Sequence, residues 1–247
     1  MNNKERRDKI VGIIRKQGYT TAKYLTEILD YSTATINRDL NALQTQGVVI
    51  RSYGGVELKN HGSIPLMFRY NKAKLEKRLI AKRASELVMD GDIIFIDGST
   101  TTEYMMYYLT EKKRITVISN NIAVIAYLSQ YDIRCICLGG EVSEAPYILD
   151  GVDTVESAQR YMADKMFFSV GSLDSLGNIY TTYNLTLSTM MRNSKEKFLL
   201  IDHEKIGKAG KRSICSLDSI DSVISDGEFS ENIKKTFPKT KFVEVKK

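Results

Sequence analysis

Four short clusters of small and polar residues follow apolar runs of the chain, and each has the chemistry to hold a small ligand. The clusters are Asp97, Gly98, Ser99, Thr100 and Thr101; Ser119, Asn120 and Asn121; Gly139, Gly140 and Glu141; and Gly171 and Ser172. Glycines let an anion approach backbone N–H groups, while hydroxyl and amide side chains add donors and acceptors. Asp97 would repel a phosphate, so we expect it to recognise a hydroxyl or to brace its own loop. One such cluster is ordinary turn chemistry, whereas four together predict a small-molecule pocket.

The side chains needed for a metal centre or a histidine-based hydrolytic triad are scarce. His61 and His203 are the only histidines, and neither lies within four residues of a cysteine. Cys135 and Cys137 alternate in an apolar run, which predicts that both thiols are small core side chains on one face of a strand. We therefore expect neither a metal nor a cofactor. An odd total of three cysteines also fits a reducing cytosol better than a disulfide scaffold.

A second set of candidate side chains lies on one face of a predicted helix near the N-terminus. Ile36, Leu40 and Leu43 recur at helical spacing and are expected to face a core. The polar set at the start of this helix, on its outer face and on the following hairpin is Ser32, Thr33, Ala34, Thr35, Asn37, Arg38, Asn41, Arg51 and Tyr53. Arginine and asparagine make bidentate contacts with guanine and adenine, and small side chains let a helix enter the major groove. The set predicts a DNA-reading face with Arg51 and Tyr53 on the flanking backbone, although a plain three-helix domain would show the same pattern.

The elements that would carry this face are three helices and a hairpin within residues 1–58. Apolar residues recur at helical spacing from Ile10 to Ile14 and again from Leu25 to Leu29. A break of two residues, Asp30 and Tyr31, separates the second helix from the third, which ends at Gly47 before two β-rich runs around a glycine turn. Three helices with a tight turn between the second and the third, then a hairpin, predict a winged helix-turn-helix domain.

Beyond a linker at residues 59–71, apolar strand-like runs alternate with helical patterns across residues 72–247. The strand-like runs are Ile93–Ile96, Ile115–Ile118, Ile133–Leu138, Met166–Val170, Phe198–Ile201 and Ser222–Ile224, and the helical patterns lie near 102–110, 122–130, 152–162 and 186–194. Strands that are apolar throughout and separated by helices predict a Rossmann-like α/β domain with a mostly parallel sheet covered on both faces. Because the carboxyl ends of parallel strands meet at one edge, the four polar clusters should come together there.

Composition and charge restrict the class of protein. The 247 residues are 43% hydrophobic and 27% charged with three prolines, which excludes a disordered or collagen-like chain. No apolar stretch is long enough to span a membrane and no apolar signal core follows the charged N-terminus, so we expect a cytoplasmic protein. Residues 1–60 hold ten Lys and Arg against six Asp and Glu, more than half of the net charge of +6, which favours a polyanionic partner. A second basic stretch at 69–83 is expected to be a solvated face that can add phosphate contacts.

Two sets of motifs resemble those of one family of bacterial proteins. The segment SxxTIxRDLxxLxxQGxxxRxYGGV, from Ser32 to Val56, resembles the DNA-binding head of the DeoR family of repressors. Five further segments are similar to the effector domain of that family: IIFIDGSTTTEYM, ITVISNNIAVI, LGGE, ADKMFFSVGSLD and LLIDHEKIGK. The resemblance therefore covers essentially the whole chain. It implies a winged helix-turn-helix that binds double-stranded operator DNA. It also implies an effector domain similar to sugar-phosphate isomerases such as ribose 5-phosphate isomerase, in which a bound phosphorylated sugar releases the DNA.

Three departures from the family pattern bear on specificity. The family usually has two arginines before the Asp–Leu pair, and here the first of them is Asn37. Val142–Glu144 stands where the family often carries an arginine, and Tyr183–Ser188 stands where it usually has glutamates and a lysine. Lys165 then remains the cation expected nearest the pocket, so phosphate specificity should be weaker than is usual for the family. The effector contacts that we predict are Asp97, Gly98, Ser99, Thr100, Thr101, Asn120, Asn121, Gly139, Gly140, Glu141 and Lys165.

The leading interpretation is a transcriptional repressor of a carbohydrate-metabolism operon, released from DNA by a small sugar, sugar phosphate or related polyol. One DNA-binding domain contacts too few base pairs to define a unique site in a genome. We therefore expect a homo-oligomer, a dimer or a tetramer, assembled through the C-terminal domain. Neither a membrane partner nor catalysis is expected. Two alternatives stay open. One is an isomerase-like enzyme with a fused head and Glu141 or Asp97 as general base, and the other is a repressor whose pocket has lost its ligand.

Overall fold

The computed structural model describes residues 3–17, 20–52, 55–58, 73–143, 147–181 and 185–246. The chain forms two compact units, residues 1–72 and 73–247. The predicted linker at 59–71 lies outside the described residues. Within the described ranges, no helix is both long enough and apolar enough to cross a membrane.

The N-terminal unit consists of three helices and a hairpin. The helices are α1 (Asn3–Gln17), α2 (Ala22–Leu29) and α3 (Thr33–Thr45), and the strands β1 (Val49–Ser52) and β2 (Gly55–Leu58) pair antiparallel. Thr21 and Ser32 cap α2 and α3 by accepting hydrogen bonds from the backbone N–H groups of Tyr24 and Thr35. Asp30 adopts a left-handed conformation, with φ of 54°, in the tight turn between these helices. The predicted winged helix-turn-helix is confirmed.

A buried ion pair fixes α3 against α1 beside the apolar core of this unit. The core side chains are Ile10, Ile14, Leu25, Ile36, Leu40, Leu43, Val49 and Val56. Asp39 on α3 is fully buried and accepts hydrogen bonds from Nε of Arg6 at 2.5 Å and Nε of Arg7 at 3.0 Å. Arg6 is buried as well, and its guanidinium lies 4.8 Å from the centre of the Tyr31 ring. Because a buried charge requires an opposite charge and hydrogen bonds, Asp39 locks the orientation of α3.

The C-terminal unit is an α/β domain built on a seven-stranded sheet. Its helices are α4 (Lys74–Glu86), α5 (Thr100–Glu103), α6 (Met106–Leu109), α7 (Ile122–Leu128), α8 (Val152–Gln159), α9 (Leu185–Arg192) and α10 (Glu231–Thr236). The strands of the main sheet are β3 (Ile93–Ile96), β4 (Thr116–Ser119), β5 (Arg134–Cys137), β8 (Ala163–Phe168), β11 (Ser194–Leu200), β13 (Ser222–Ser225) and β14 (Lys241–Glu244). The shorter strands are β6 (Glu141–Val142), β7 (Leu149–Asp150), β9 (Ser172–Leu173), β10 (Asn178–Tyr180) and β12 (Ser213–Ser216).

The order of strands in the main sheet places a crevice between β3 and β8. The order is β14-β13-β11-β8-β3-β4-β5, and every neighbouring pair is parallel. The chain therefore proceeds from β3 toward one edge and from β8 toward the other. Ligands of such sheets bind outside the carboxyl ends of the strands at this reversal point. The predicted fold class is confirmed.

Apolar side chains alternate along the strands and pack against helices on both faces of the sheet. The strand side chains that pack with α4, α6 and α7 include Ile94, Ile96, Val117, Phe167 and Leu200. Those that pack with α8, α9 and α10 include Phe95, Ile118, Phe168, Leu199 and Val223. Burial on both faces explains why the strands are apolar throughout.

Three features differ from the sequence-based expectations. The edge strand β14, the helix α10 and the five shorter strands β6, β7, β9, β10 and β12 were not predicted; β14 and α10 are short and contain several charged residues. Cys135 and Cys137 lie on β5, the other edge strand, so the expectation that both thiols are core side chains is wrong: Cys135 is half-buried and Cys137 is exposed. Lys77 was expected on a solvated face and is instead buried on α4. Among the described residues, no group of three His, Cys, Asp or Glu side chains is arranged to hold a metal ion.

Candidate functional site

The outer face of α3 carries the polar side chains singled out in the sequence. Ser32, Thr33, Ala34, Arg38 and Asn41 are exposed, and Thr35 and Asn37 are partly exposed. The side chains on the opposite face of the helix are Ile36, Asp39, Leu40 and Leu43, which are buried. Tyr53 lies outside the described residues. The face thus combines small, amide and guanidinium groups, which is the chemistry that major-groove recognition uses.

Arg51 on β1 is bonded to this face. Its Nη1 donates to Oδ1 of Asn41 at 2.5 Å, and its Nη2 donates to Oδ1 of Asn37 at 2.6 Å. The guanidinium was expected to touch the flanking DNA backbone, and the structure shows that it also bridges two side chains of the helix. This contact is invisible in the sequence, since it joins residues ten and more positions apart.

The second candidate site lies at the carboxyl edge of the main sheet, where Asp97 braces the reversal point. Asp97 follows β3 and accepts hydrogen bonds from Oγ1 of Thr102 at 2.6 Å and from the backbone N–H of Ser99 at 3.2 Å. Its second oxygen accepts from the backbone N–H of Ser169, which follows β8, at 3.3 Å. Burial raises the pKa of this carboxyl, although these hydrogen bonds act in the opposite direction. Of the two roles that the sequence left open, the geometry supports loop bracing.

Two other polar side chains of the loops also have structural duties. Ser99 caps α5 by accepting from the N–H of Thr102 at 3.2 Å. Asn121 caps α7 with its Oδ1, which accepts from the N–H of Ala123 at 2.9 Å, and its Nδ2 donates to Glu103 at 2.8 Å. These residues shape the loops and leave other groups to meet a ligand.

Two buried polar atoms at this edge lack a hydrogen-bond partner within the described parts of the chain. They are Oγ1 of Thr101 and Oδ1 of Asn120. The Nδ2 of Asn120 donates to the carbonyl of Leu149 at 2.8 Å, so the orientation of this amide is set. Leaving such a group unpaired costs about 1–3 kcal/mol. The edge therefore offers an acceptor and a hydroxyl that a bound molecule can satisfy.

The hairpin of β6 and β7 covers these loops. The backbone N–H of Leu149 donates to the carbonyl of Asn120 at 2.8 Å, and the N–H of Ile122 donates to the carbonyl of Tyr147 at 2.7 Å. A Cβ placed on Gly98 would lie only 2.7 Å from the side chain of Ile148. Gly98 is therefore needed for the close approach of Ile148, which occupies the space above the first loop.

Gly140, the second of the paired glycines after β5, is required by a close contact, whereas a Cβ on Gly139 would meet nothing within 4 Å. Gly140 has φ of 129°, and a Cβ there would lie 1.9 Å from Oγ1 of Thr154. The same Thr154 hydroxyl donates to the carbonyl of Gly139 at 2.6 Å. Glu141 begins β6 and is exposed. The third cluster thus joins the same edge, with its carboxylate directed to solvent rather than held beside Asp97.

The structure does not bring Lys165 to this edge. Lys165 lies near the amino end of β8, and its Nζ binds Oδ2 of Asp92, just before β3, at 2.5 Å. Two other lysines are at the carboxyl edge. Nζ of Lys205 lies 3.4 Å from the hydroxyl of Ser169, and Nζ of Lys77 lies 3.2 Å from the hydroxyl of Thr100. The expectation that Lys165 is the cation beside the pocket is corrected by this placement.

The candidate general bases fit catalysis poorly. Both oxygens of Asp97 are engaged by loop donors, and Glu141 is exposed. His203, on the loop after β11, forms a hydrogen bond with Asp226 at 2.6 Å and is half-exposed. General base catalysis needs a positioned group with free hydrogen-bonding capacity toward a substrate, which Asp97 does not offer.

Comparisons with known proteins match both parts of the chain to one family. Residues 6–61 match the DeoR-like helix-turn-helix domain, and residues 72–227 match the DeoR C terminal sensor domain. The chain is 29% identical over 242 residues to the lactose phosphotransferase system repressor of Staphylococcus aureus (strain NCTC 8325 / PS 47), an alignment that covers 95% of this chain and 96% of that protein. It is 28% identical over 231 residues to the glycerol-3-phosphate regulon repressor of Escherichia coli (strain K12), covering 92% of each.

A further relative and one solved structure extend these comparisons. The lactose phosphotransferase system repressor of Staphylococcus epidermidis is 31% identical over 245 residues, covering 95% of this chain and 96% of that protein. Among solved structures, ribose 5-phosphate isomerase A of Methanocaldococcus jannaschii aligns with 57% of this chain and 58% of its own, with 18% identity and a TM-score of 0.43.

Proposed function

The chain belongs to the DeoR family of transcriptional repressors, and we propose that it represses a carbohydrate-metabolism operon until a small sugar or sugar phosphate releases it. Two relatives that it resembles over nearly their whole length are named for repression of a lactose phosphotransferase system and of a glycerol-3-phosphate regulon. A repressor of this kind binds chromosomal DNA, so under this proposal the protein is located in the bacterial cytoplasm.

Operator contacts come from the outer face of α3 under this proposal. Arg38 and Asn41 are the exposed side chains that can reach base edges, with Thr33 and Ala34 at the start of the helix. Ser32, Thr35, Asn37, Arg51 and Tyr53 complete the predicted set. Since one head contacts only a short stretch of DNA, two or more copies of the chain bind repeated half-sites as a homo-oligomer.

The observation that carries the effector site is a pair of buried atoms at the carboxyl edge, Oδ1 of Asn120 and Oγ1 of Thr101, which have no hydrogen-bond partner among the residues that the structure describes. A carbonyl oxygen can only accept, so its ligand partner is a donor such as a hydroxyl of a sugar or polyol. We propose that the loops predicted from the sequence, Asp97–Thr101, Asn120–Asn121 and Gly139–Glu141, line this site. Entry of the ligand would displace Ile148 from Gly98, which couples binding to the hairpin β6–β7.

Of the two lysines at this edge, Lys77 is buried against Thr100, so the cation that a phosphate on the ligand would meet is Lys205. Its ammonium lies beside Ser169, next to the backbone that Asp97 braces. Lys165 forms an ion pair with Asp92 near the amino ends of the strands, so under this proposal it does not contact the phosphate. A single lysine supports modest selectivity for a phosphate ester over the free sugar.

The proposal assigns no catalysis to the domain. The carboxyl of Asp97 is occupied by three donors, and the structure supports a bracing role for it rather than proton transfer. The relatives reported above are named as repressors, and residues 6–61 of this chain match the DeoR-like helix-turn-helix domain.

The deciding experiment joins a ligand screen to a DNA-binding measurement. Sugars and their phosphate esters are screened by thermal shift, since a ligand of the folded state raises the melting temperature by mass action. Compounds that stabilise the chain are then added to the protein on its operator. The expected result is loss of operator affinity. A ligand that binds without changing the affinity for the operator would show that the domain has a pocket but does not control DNA binding. If no compound stabilises the chain, the result would favour a pocket that has lost its ligand.

A further inference from the structure

We propose that Arg51 determines which bases the outer face of α3 reads, because it holds the amides of Asn37 and Asn41 in one orientation. The proposal rests on the DNA-reading role of α3 given above. Arg51 is a positioning residue here, since it acts through two asparagines rather than through its own contact with a base.

The geometry allows the single side chain of Arg51 to fix the orientation of both amide groups. Nη1 and Nη2 of Arg51 donate to Oδ1 of Asn41 and of Asn37 at 2.5 Å and 2.6 Å. Asn37 and Asn41 are four residues apart, so they lie one turn apart on the same side of the helix. A planar guanidinium presents a rigid fork of donors that matches this pair, whereas an ammonium is a point charge without a fixed fork.

The strand that carries Arg51 is itself held against α3. Val49 on β1 is buried in one core with Leu40 and Leu43 of the helix. The backbone N–H of Val48 donates to the carbonyl of Leu43 at 2.9 Å, which joins the end of the helix to the start of the hairpin. The backbone that carries Arg51 is therefore held beside α3 by the core, within reach of the two asparagines.

Engagement of both amide oxygens changes what the asparagines can recognise. A hydrogen bond from a charged donor is about twice as strong as a neutral one, so each Oδ1 is retained by Arg51. Asparagine reads adenine in a bidentate manner when its oxygen accepts from the N6 amino group. Each Oδ1 keeps a second lone pair, but the positive guanidinium beside it repels the amino group of adenine and does not repel the acceptors of guanine. The amide N–H donors that remain suit the two acceptors of guanine, N7 and O6. We expect guanine in preference to adenine at the base pairs that Asn37 and Asn41 contact.

The first measurement defines the preference of the wild-type protein. The full chain selects its operator from a randomised duplex library, and its affinity for every single-base variant is measured by fluorescence anisotropy. We expect guanine-to-adenine changes opposite the two asparagines to weaken binding by about tenfold each. Adenine preferred at both positions would overturn the proposal. A protein without any sequence preference would overturn the DNA-reading role of α3 as well, which separates the two failures.

The second measurement uses a pair of variants that separates charge from geometry. Arg51→Ala removes the fork and the charge, and Arg51→Lys keeps the charge without the fork. Both should lose most of the guanine-over-adenine discrimination, while the salt dependence of binding stays close to that of the wild type for Arg51→Lys. If Arg51→Lys retains full discrimination and Arg51→Ala weakens all sequences alike with a salt slope reduced by about one unit, Arg51 is a phosphate contact and the proposal is wrong.

A double-mutant cycle tests whether Arg51 acts through Asn37, and melting curves of the same variants test whether each one is folded. Circular dichroism melts of Arg51→Ala, Asn37→Ala and the double variant report the fold of each. Base discrimination is then compared across the cycle. Because Arg51 acts through Asn37, the two losses should be strongly non-additive in the folded variants. Additive losses would mean that the residues contact DNA independently, and would overturn the proposal.

Discussion

The ammonium of Lys77 lies 3.2 Å from the hydroxyl of Thr100, and both side chains are almost completely buried. Lys77 belongs to α4, and Thr100 is the first residue of α5, directly after the loop that Asp97 braces. A buried ammonium is stable only where acceptors replace its water. This bond therefore anchors the candidate effector loop to the first helix of the C-terminal unit.

Replacing Thr100 by valine tests that anchor. The Thr100→Val variant keeps the shape of the side chain and removes one acceptor from a buried cation, so the free energy of unfolding should fall by about 2 kcal/mol. Thr101→Val is the matched control, because its hydroxyl is buried without a hydrogen-bond partner among the described residues. It should cause no loss of stability. Denaturant unfolding of the full-length variants measures both, and equal losses would show that the bond to Lys77 contributes nothing.

The elements that carry both sites could be predicted because they depend on local patterns. Helical spacing of Ile36, Leu40 and Leu43 defines the outward face of α3. The polar clusters could be placed at one sheet edge because parallel strands align their carboxyl ends. Both inferences need only neighbouring residues and the rules of regular structure.

The partners of individual side chains could not be predicted, since they join residues far apart in the chain. Lys77 meets Thr100 across 23 positions, and Lys205 meets Ser169 across 36. Lys165 has an unremarkable place in an apolar strand, and only the register with β3 shows that its ammonium reaches Asp92. A lysine in a sequence shows that a cation is present, but it gives no information on whether the ammonium lies at the amino or the carboxyl end of the sheet.

Asp39 should be essential for the stability of the N-terminal unit. The Asp39→Asn variant leaves the buried guanidinium of Arg6 without its counter-charge, and breaking a buried pair in this way is strongly destabilising. We expect the melting temperature of this unit to fall by about 10 °C or more, with loss of operator binding above it. Arg7→Gln is the control, since Arg7 is more exposed and should matter far less. Differential scanning calorimetry of the full chain distinguishes the two variants.

Asp97 predicts a specific dependence of stability on pH. Burial raises its pKa above the ordinary value of 3.8, so the folded state binds the proton more tightly than the unfolded state. Its contribution to stability is therefore greatest below that value and declines as pH rises through the folded pKa. The free energy of unfolding of the wild type, minus that of Asp97→Asn, should fall as pH increases from about 4 and then level off. Urea titrations across this range test the sign, and a difference that grows with pH would contradict it.

Arg38 is expected to make a direct base contact. Arg38→Ala should weaken binding to the selected operator by about 1–3 kcal/mol and relax specificity at one position. Binding to unrelated duplex DNA should change much less. A uniform loss on all sequences, with a salt slope reduced by about one unit, would instead identify a phosphate contact. Gel shifts on specific and scrambled duplexes at several salt concentrations separate these outcomes.

Lys205 and Lys165 make opposite predictions for the ligand. Lys205→Met removes the cation beside Ser169, so affinity for a phosphorylated sugar found in the screen should fall by about tenfold, while affinity for the corresponding free sugar stays the same. Lys165→Met breaks the buried pair with Asp92 and lowers stability, yet it should leave the affinity of the folded protein for both compounds unchanged. Isothermal titration calorimetry of each variant with the sugar and its phosphate ester gives the four affinities. A loss with Lys165→Met alone would move the phosphate site to the amino ends of the strands.

The switch itself must obey thermodynamic reciprocity. A ligand that weakens operator binding by about tenfold must bind about tenfold more weakly to the protein–DNA complex, a coupling of about 1.4 kcal/mol. Thr101→Val should weaken ligand binding in both states by a similar factor, because the proposed pocket includes its hydroxyl, and it should leave the coupling intact. Calorimetry on free and operator-bound protein, wild type and variant, measures all four affinities. Equal ligand affinities for the free and DNA-bound wild type would show that the carboxyl edge binds a ligand without controlling the head.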